Sequence, residues 1–369
     1  MTLYERVVRP LLFRADPERV HDLSIQAARY ASAFPALCRA LDDRRAPTDP
    51  RLRTTVAGLD FRSPLGLAAG YDKNGRGVHL LSSLGFGHVE IGSVSASPSA
   101  GNPAPRLWRI PADRGIVVHY GVPNDGAAAV ARRITGSHTV PVGVNLVNTH
   151  RGPDSAEESV ASIIADYAAS VASLHDQADY LCLNLSCPNT RDGRAFFHQD
   201  DRLAELLETL AELRLTKPVF LKVAPFSGTD ELGKFLETAG KAPLVSGFSV
   251  NLPPGKPPGT RTPADVLAGM PGAVSGPPSR ARAEQTVREL YRGMDRTRHA
   301  IIGSGGVSTA EDAYRMIRLG ASLVQVFTAL VYQGPGLVRR LGDGLAALLE
   351  QDGFTAIGEA VGADLDVSP

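Results

Sequence analysis

Paired cysteines, an excess of charge of either sign and long apolar runs are all missing from this chain of 369 residues. Only three cysteines occur, Cys38, Cys182 and Cys187, with no even framework of spaced pairs, which argues against a disulfide scaffold and a secreted context and for a reducing compartment. Lysine plus arginine equals aspartate plus glutamate at 39 each, so the basic excess of a general nucleic-acid binder is absent. No stretch approaches the roughly 18 uninterrupted apolar residues of a spanning helix. Glu5, Arg6 and Arg9 stand where a signal peptide needs an apolar run. The expectation is a chain that does not cross a membrane but can lie on one. His79, His88 and His175 show no metal-ligand spacing, and no metal is expected.

What is present is ordinary globular composition, 43% hydrophobic and 21% charged, at a length that suits a large (β/α) domain with an appendage. Residues 1–45 read as helix: Val7, Val8, Leu11, Leu12 and Phe13 precede Val20, Leu23, Ile25, Ala27 and Ala28 at mixed three and four spacing. Pro10 and Pro17 divide it, and Asp16-Pro17-Glu18 has the form of a helix start. The amphipathic pattern fits a membrane-surface helix or a helix docked on a neighbouring domain equally well. Residues 46–62 carry the composition of a linker and lead-in, and the character of the chain changes at about Ser63.

From there to residue 369, eight short apolar runs recur, each followed by a helical pattern: Leu65 to Ala69, Val89 to Gly92, Val142 to Asn145, Tyr180 to Asn184, Val219 to Val223, Gly247 to Asn251, Ala300 to Gly303 and Leu323 to Phe327. Eight strand-helix units predict a (β/α)8 TIM barrel of the α/β class, preceded by the N-terminal helical extension. The Pro/Gly-rich segment from Pro253 to Pro278 is too long for an ordinary connection and reads as an active-site lid or mobile loop.

Barrel enzymes work where strand ends open into loops. Here those ends carry Lys73, Asn145, Asn184, Asn189, Lys222 and Asn251, an amide-rich set with two cations that suits a flat heterocycle with imide edges. One strand-end asparagine is best read as a turn cap; four on one rim are not. After the seventh run, Gly303-Ser304-Gly305-Gly306 occupies the position of a phosphate cradle, joined by Thr328 after the eighth.

The segments LYERVVRPLLFRADPERVHDLSIQAARYA, SPLGLAAGYDKNG, GNPAPRLWRIP, LNLSCPNT, FLKVAP, IIGSGGVST and GASLVQVFTALVYQGP resemble the dihydroorotate dehydrogenase family over nearly the whole chain. The extension is similar to that of the membrane-associated, quinone-reducing class, in which it makes an apolar tunnel from the bilayer surface to the flavin. The resemblance implies a cytoplasmic protein held peripherally at the inner face of the cell membrane through its first 40 residues. It implies FMN, with the phosphate on Gly276, Gly305, Gly306 and Thr328 and the ring near Asn145 and Lys222; Ala69, Gly70, Ser93, Ser275 and Phe327 complete the cofactor set. It further implies a pyrimidine held by Asn184, Asn189 and Asn251, its carboxylate held by Lys73, and Cys187 as the base that collects a proton while hydride leaves for FMN. Cys182 and Cys38 read as packing residues.

The pattern departs from the family in four places. Cysteine replaces the serine usual for the quinone class at Cys187, a change that keeps base chemistry feasible because a thiol ionises far more readily than a hydroxyl. His119, Gly121, Val122 and Pro123 stand where the family has an asparagine, then a glycine, phenylalanine and asparagine. Leu252 replaces a threonine, and Leu146-Val147-Asn148 replaces the usual glycine and lysine. His119 is expected to line the substrate pocket, with a second acid/base role as the alternative. The leading expectation is oxidation of dihydroorotate to orotate with a quinone acceptor. The alternatives are a related flavoenzyme retooled for another ring, a flavin-binding barrel without turnover, and a phosphate-binding barrel without flavin.

Overall fold

The computed structural model describes residues 2–365 apart from 137, 153–154, 156–157, 187–195 and 199. The eight apolar runs fold as eight parallel strands: β1 (Leu65–Leu67), β2 (His88–Val94), β3 (Val142–Leu146), β4 (Tyr180–Asn184), β5 (Val219–Val223), β6 (Val245–Val250), β7 (Ala300–Ser304) and β8 (Leu323–Val326). Each pairs with the next, and β8 returns to β1 to close the barrel. Near-continuous apolar sequence follows from this closure, because a strand covered by helices outside and by packed side chains inside has no wet face.

The interior is filled by rings set against glycines. A Cβ on Gly143 would lie 2.1 Å from the Tyr180 ring, and one on Gly66 would lie 2.0 Å from the His88 ring. The lower end is plugged by the hairpin Thr54–Val56 and Leu59–Phe61, whose Phe61 packs with Tyr180, Phe220, Ile302 and Leu323. Its two-residue turn, Ala57 and Gly58, has φ of +50° and +78°, the left-handed pair that matches the twist of a tight hairpin.

Before the barrel, helical turns over Tyr4–Val8 and Arg9–Leu12 lead into helices α1 (Pro17–Ser32) and α2 (Pro35–Arg45). As the Asp-Pro-Glu start predicts, the Asp16 carboxylate accepts from the Arg19 amide at 2.9 Å. The extension reaches from the upper rim, at Tyr4 and Glu18, to the strand-start end, where Asp42 meets Arg62 just before β1. Tyr4 donates to the Val331 carbonyl at 2.8 Å, Arg106 pairs with Glu18 at 2.8 Å, and Arg62 pairs with Asp42 at 2.7 Å.

The segment from Pro253 to Pro278, expected as an active-site lid or a mobile loop, is a built cover in this structure. It holds a helical turn, Ala264–Ala268, and a strand, Ala273–Ser275, that adds antiparallel to Gly115–Val118 in a three-stranded sheet over the barrel. The Asp113 carboxylate accepts from the amides of Arg261 and Thr262 at 2.6 and 3.0 Å. Backbone pairing and this anchor explain how a proline- and glycine-rich stretch becomes a built roof; composition alone could not report a pairing partner some 150 residues away.

Candidate active site

At the top of the barrel five successive strands present polar side chains to one cavity, and these side chains bond one another in series. Asn251, just past β6, donates to Asn184 Oδ1 at 2.9 Å. Asn184 donates to the Ser93 hydroxyl at 3.3 Å, and Ser93 to Asn145 Oδ1 at 2.5 Å. Asn145 in turn donates to Glu90 Oε1 at 3.0 Å, where Lys222 Nζ also arrives at 3.2 Å. The second Glu90 oxygen accepts from Gln325 at 2.9 Å and from Tyr180 at 3.3 Å. A buried carboxylate is tolerated only when its lone pairs are met by donors. Burial works to raise the Glu90 carboxyl, but the Lys222 ammonium and the Gln325 amide outweigh it and hold it below its ordinary range.

The opposite side of the cavity is the cradle. Gly305 and Gly306, at φ +119° and +73°, line it together with Gly276 at φ +98°. Successive left-handed residues turn backbone amides towards one point, the arrangement that receives an anion. The Ser275 and Thr328 hydroxyls lie 2.7 Å apart beside them. Ala69, Gly70 and Phe327 close the apolar side.

A second cavity opens beneath the extension. It is lined mainly by apolar residues, among them Leu12, Val20, Leu81, Leu84, Leu330 and Val331, with His21, Ser24, Arg45 and Arg109 among its polar members. Ile116, Tyr120 and Phe327 stand in the walls of both cavities, so the two are neighbours separated by single side chains. Their walls differ in kind. The first ends in amides and cations, the second in leucine and valine.

Residues 51–349 match the family model described as dihydroorotate dehydrogenase. This chain belongs to the dihydroorotate dehydrogenase family. It is 40% identical over 375 residues to the dihydroorotate dehydrogenase (quinone) of Thermobifida fusca, covering 99% of this chain and 98% of the relative. It is 39% identical over 366 residues to that of Roseiflexus castenholzii, covering 98% and 96%. A crystal structure of the enzyme from Eimeria tenella in complex with ferulenol superposes with a TM-score of 0.79 at 28% identity, covering 95% of this chain and 96% of that one. Members of this family are oxidoreductases that act on a CH–CH bond and are generally FMN-dependent.

Within this family member the residues singled out from sequence fall into three groups. Lys73, Asn184, Asn251, Ala69, Gly70, Ser93, Asn145, Lys222, Ser275, Gly276, Gly305, Gly306, Phe327 and Thr328 all line the first cavity. Cys187 and Asn189 lie outside the described residues. His119 is a correction: it does not line the cavity. Ile116, Val118 and Tyr120 do, at alternate positions of an extended segment, which puts the intervening His119 on the other face. There its Nε2 lies 3.2 Å from the Asn102 amide, and burial together with Lys256 lowers its pKa. Val118 therefore occupies the wall position expected of the histidine.

Lys73 sits in the cavity wall with a partner the sequence did not disclose. Its Nζ lies 2.9 Å from His21 Nε2 and 4.1 Å from the centre of the Tyr120 ring. Burial lowers the ammonium to about 8, against the pull of Asp22 and Glu18 in the other direction. Cys182 is fully buried, with burial and the nearby Glu90 raising its thiol well above the ordinary range, in keeping with a packing role.

Glu90, Gln325, His21 and Tyr120 were missed. Glu90 and Gln325 carried a legible signal, each the lone acid or amide in the middle of a buried strand, as Lys222 is in β5. His21 and Tyr120 carried none, since their importance comes from packing across the rim.

Proposed function

We propose that this chain oxidises dihydroorotate to orotate, with FMN as its resident cofactor, and hands the electrons to a quinone in the apolar cavity. One observation carries the reading: a polar, cradle-bearing cavity and an apolar cavity share Ile116, Tyr120 and Phe327 as a common wall. A reaction with a polar donor and a lipophilic acceptor needs two such compartments a side chain apart.

The residues present fit FMN. The Gly276, Gly305 and Gly306 backbone with Thr328 would hold its phosphate, and Ser93, Asn145 and Lys222 the polar edge of its ring. Gln325 Oε1 lines this cavity side chain by side chain with them, buried and without a hydrogen-bond partner among the described residues, which is the state of a group awaiting a donor. When bound, FMN supplies the two-electron acceptor for hydride. The protein's own work is binding, charge and proton transfer. Asn184, Asn189 and Asn251 hold the pyrimidine amides, and Lys73 offers its ammonium to the carboxylate. Lys222 would set its ammonium beside the polar edge of the ring, where it favours negative charge. Cys187 Sγ takes the proton from the substrate carbon next to the one that loses hydride.

No helix among the described residues is long and apolar enough to cross a membrane. Among the described residues, nine of the eleven exposed large hydrophobics precede residue 38, including Leu23, Tyr30, Phe34 and Leu37. That concentration supports peripheral attachment through α1 and α2, with the apolar cavity opening towards the bilayer.

The test is anaerobic addition of dihydroorotate to the purified yellow protein. Bleaching of the flavin, followed by recovery with a short-chain benzoquinone, is expected. Cys187→Ala slows the bleaching by about 10²–10⁴-fold. A colourless protein unable to take up FMN overturns the reading. A second reading, oxidation of a different ring, is favoured by Val118, Val122, Pro123 and Leu252, which give the first cavity an apolar flank. FMN retained without bleaching by dihydroorotate would select it.

A further inference from the structure

We propose that Lys73 and His21 form a proton path from the barrel cavity into the apolar cavity, and that it delivers the second proton a quinone needs to leave as quinol. The proposal rests on the quinone reading above. Its premise is a balance. The substrate gives up one hydride and one proton on the barrel side, and the quinone gains both on the other. The hydride equivalent crosses as an electron pair with one proton; the singly protonated, reduced quinone must still collect another inside a cavity walled by leucine and valine.

The lining of that cavity leaves few donors. Its arginines, Arg45 and Arg109, do not release protons near neutrality. Burial raises the phenols of Tyr4, Tyr71 and Tyr120 above their already high ordinary value. His21 is the lining group whose chemistry permits both uptake and release. An ammonium only donates, so in the 2.9 Å contact Lys73 Nζ is the donor and His21 Nε2 the acceptor. Lys73 belongs to the wall of the first cavity and His21 to that of the second, so this one bond joins the two compartments.

The surroundings suit a proton that must move. Glu18 and Asp22 from α1 and Asp72 from its own loop keep Lys73 protonated, while Arg106 and burial work against it, and the result is an ammonium near 8. Burial and the adjacent Lys73 charge hold His21 neutral, a bond to the Tyr71 backbone favours the charged ring, and the repulsion ends as Lys73 gives up its proton. The N–H bond at Lys73 breaks as one forms at His21 Nε2. The imidazolium then gives a proton to the quinone oxygen, and Lys73 regains its own from the barrel cavity, into which Cys187 gives up the proton it took from the substrate carbon. No oxidant or reductant beyond the established pair is needed.

The experiment primes the FMN-loaded protein with dithionite, so that it does not depend on the identity of the ring substrate. Re-oxidation is then followed by stopped flow with saturating short-chain benzoquinone, which needs protons, and with ferricyanide, which needs none. In the wild type, re-oxidation by quinone slows in D2O. His21→Gln keeps an acceptor for Lys73 but carries no proton, and the ratio of its quinone rate to its ferricyanide rate falls roughly a hundredfold. Lys73→Arg, which keeps the charge and withholds the proton, gives the same loss, and the bound FMN absorbance reports that both variants are folded. An unchanged ratio, equal slowing with both acceptors, or a raised quinone KM at unchanged kcat would overturn the path. A wild type that reduces ferricyanide but never quinone would instead remove the quinone reading, and failure of dihydroorotate to bleach would count only against the substrate.

Discussion

The two cavities of this molecule are built in opposite ways. The barrel cavity is made by strands, and the polar groups of its bonded series arrive at positions set by the ladder: Ser93 on β2, Asn145 on β3, Asn184 on β4, Lys222 on β5, with Asn251 just beyond β6. The apolar cavity is made by docking, from one face of α1, the turn over Arg9–Leu12, the helical turn after β1 and the helix after β8. The first is stabilised by a connected hydrogen-bond series around one buried acid. The second is held open by a few contacts between units, such as Tyr4 to Val331 and Arg106 to Glu18. Polar sites demand that every partner be present, whereas an apolar chamber needs only walls that stay apart.

That contrast can be broken most severely at Glu90. Replacing it by alanine leaves the Lys222 ammonium buried without its counter-charge 3.2 Å away, and the protein is expected to lose about 3–5 kcal/mol of stability. Chemical denaturation with FMN removed measures this; a loss under about 1 kcal/mol would show that the hub is not structurally needed. On the other side, the double substitution Leu23→Asp with Phe34→Asp touches residues that are 63% and 62% exposed and should leave folding and FMN binding intact. Its partition onto anionic lipid vesicles, read by co-sedimentation, is expected to fall more than about tenfold. Equal binding by variant and wild type would mean the exposed face serves something other than a bilayer.

The smallest effect concerns the roof between the cavities. Burial works to raise the Asp113 carboxyl, but the Thr262 hydroxyl and the amides of Arg261 and Thr262 outweigh it and leave its pKa lowered. A carboxyl depressed on folding contributes stability that is present above its unfolded pKa, about 3.9, and that is lost as pH falls through the folded value. Exchange of the Arg261 and Thr262 amides should therefore accelerate, beyond its intrinsic pH trend, as the pH drops below about 4. Asp113→Asn should remove that dependence. No difference between wild type and variant would make the anchor incidental.

Much of the barrel side was readable in advance. VFLKV and SLVQVF announce buried strands because a closed parallel sheet tolerates few polar residues, and the exceptions in such runs, Lys222 and Gln325, turn inward to the network. The same logic applied to HVEIGSV would have found Glu90. His119 shows where a linear reading slips by one: in an extended segment neighbouring side chains face opposite ways, so Val118 and Tyr120 reach the cavity and the histidine between them does not. Whether Pro253 to Pro278 is lid or mobile loop was not legible for a different reason, since the strand Ala273–Ser275 exists only through pairing with Gly115–Val118.

Sequence by itself determined the strand count, the helix start at Asp16, the glycine cradle and the ring of amides, because each follows from local periodicity or from a side chain's place at a strand end. Tertiary structure alone decided that Lys73 turns to His21, that Tyr120 belongs to two cavities, and which residues wall the apolar chamber. Those are relations between segments 50 to 330 residues apart, and they arise only when one folded surface is laid against another.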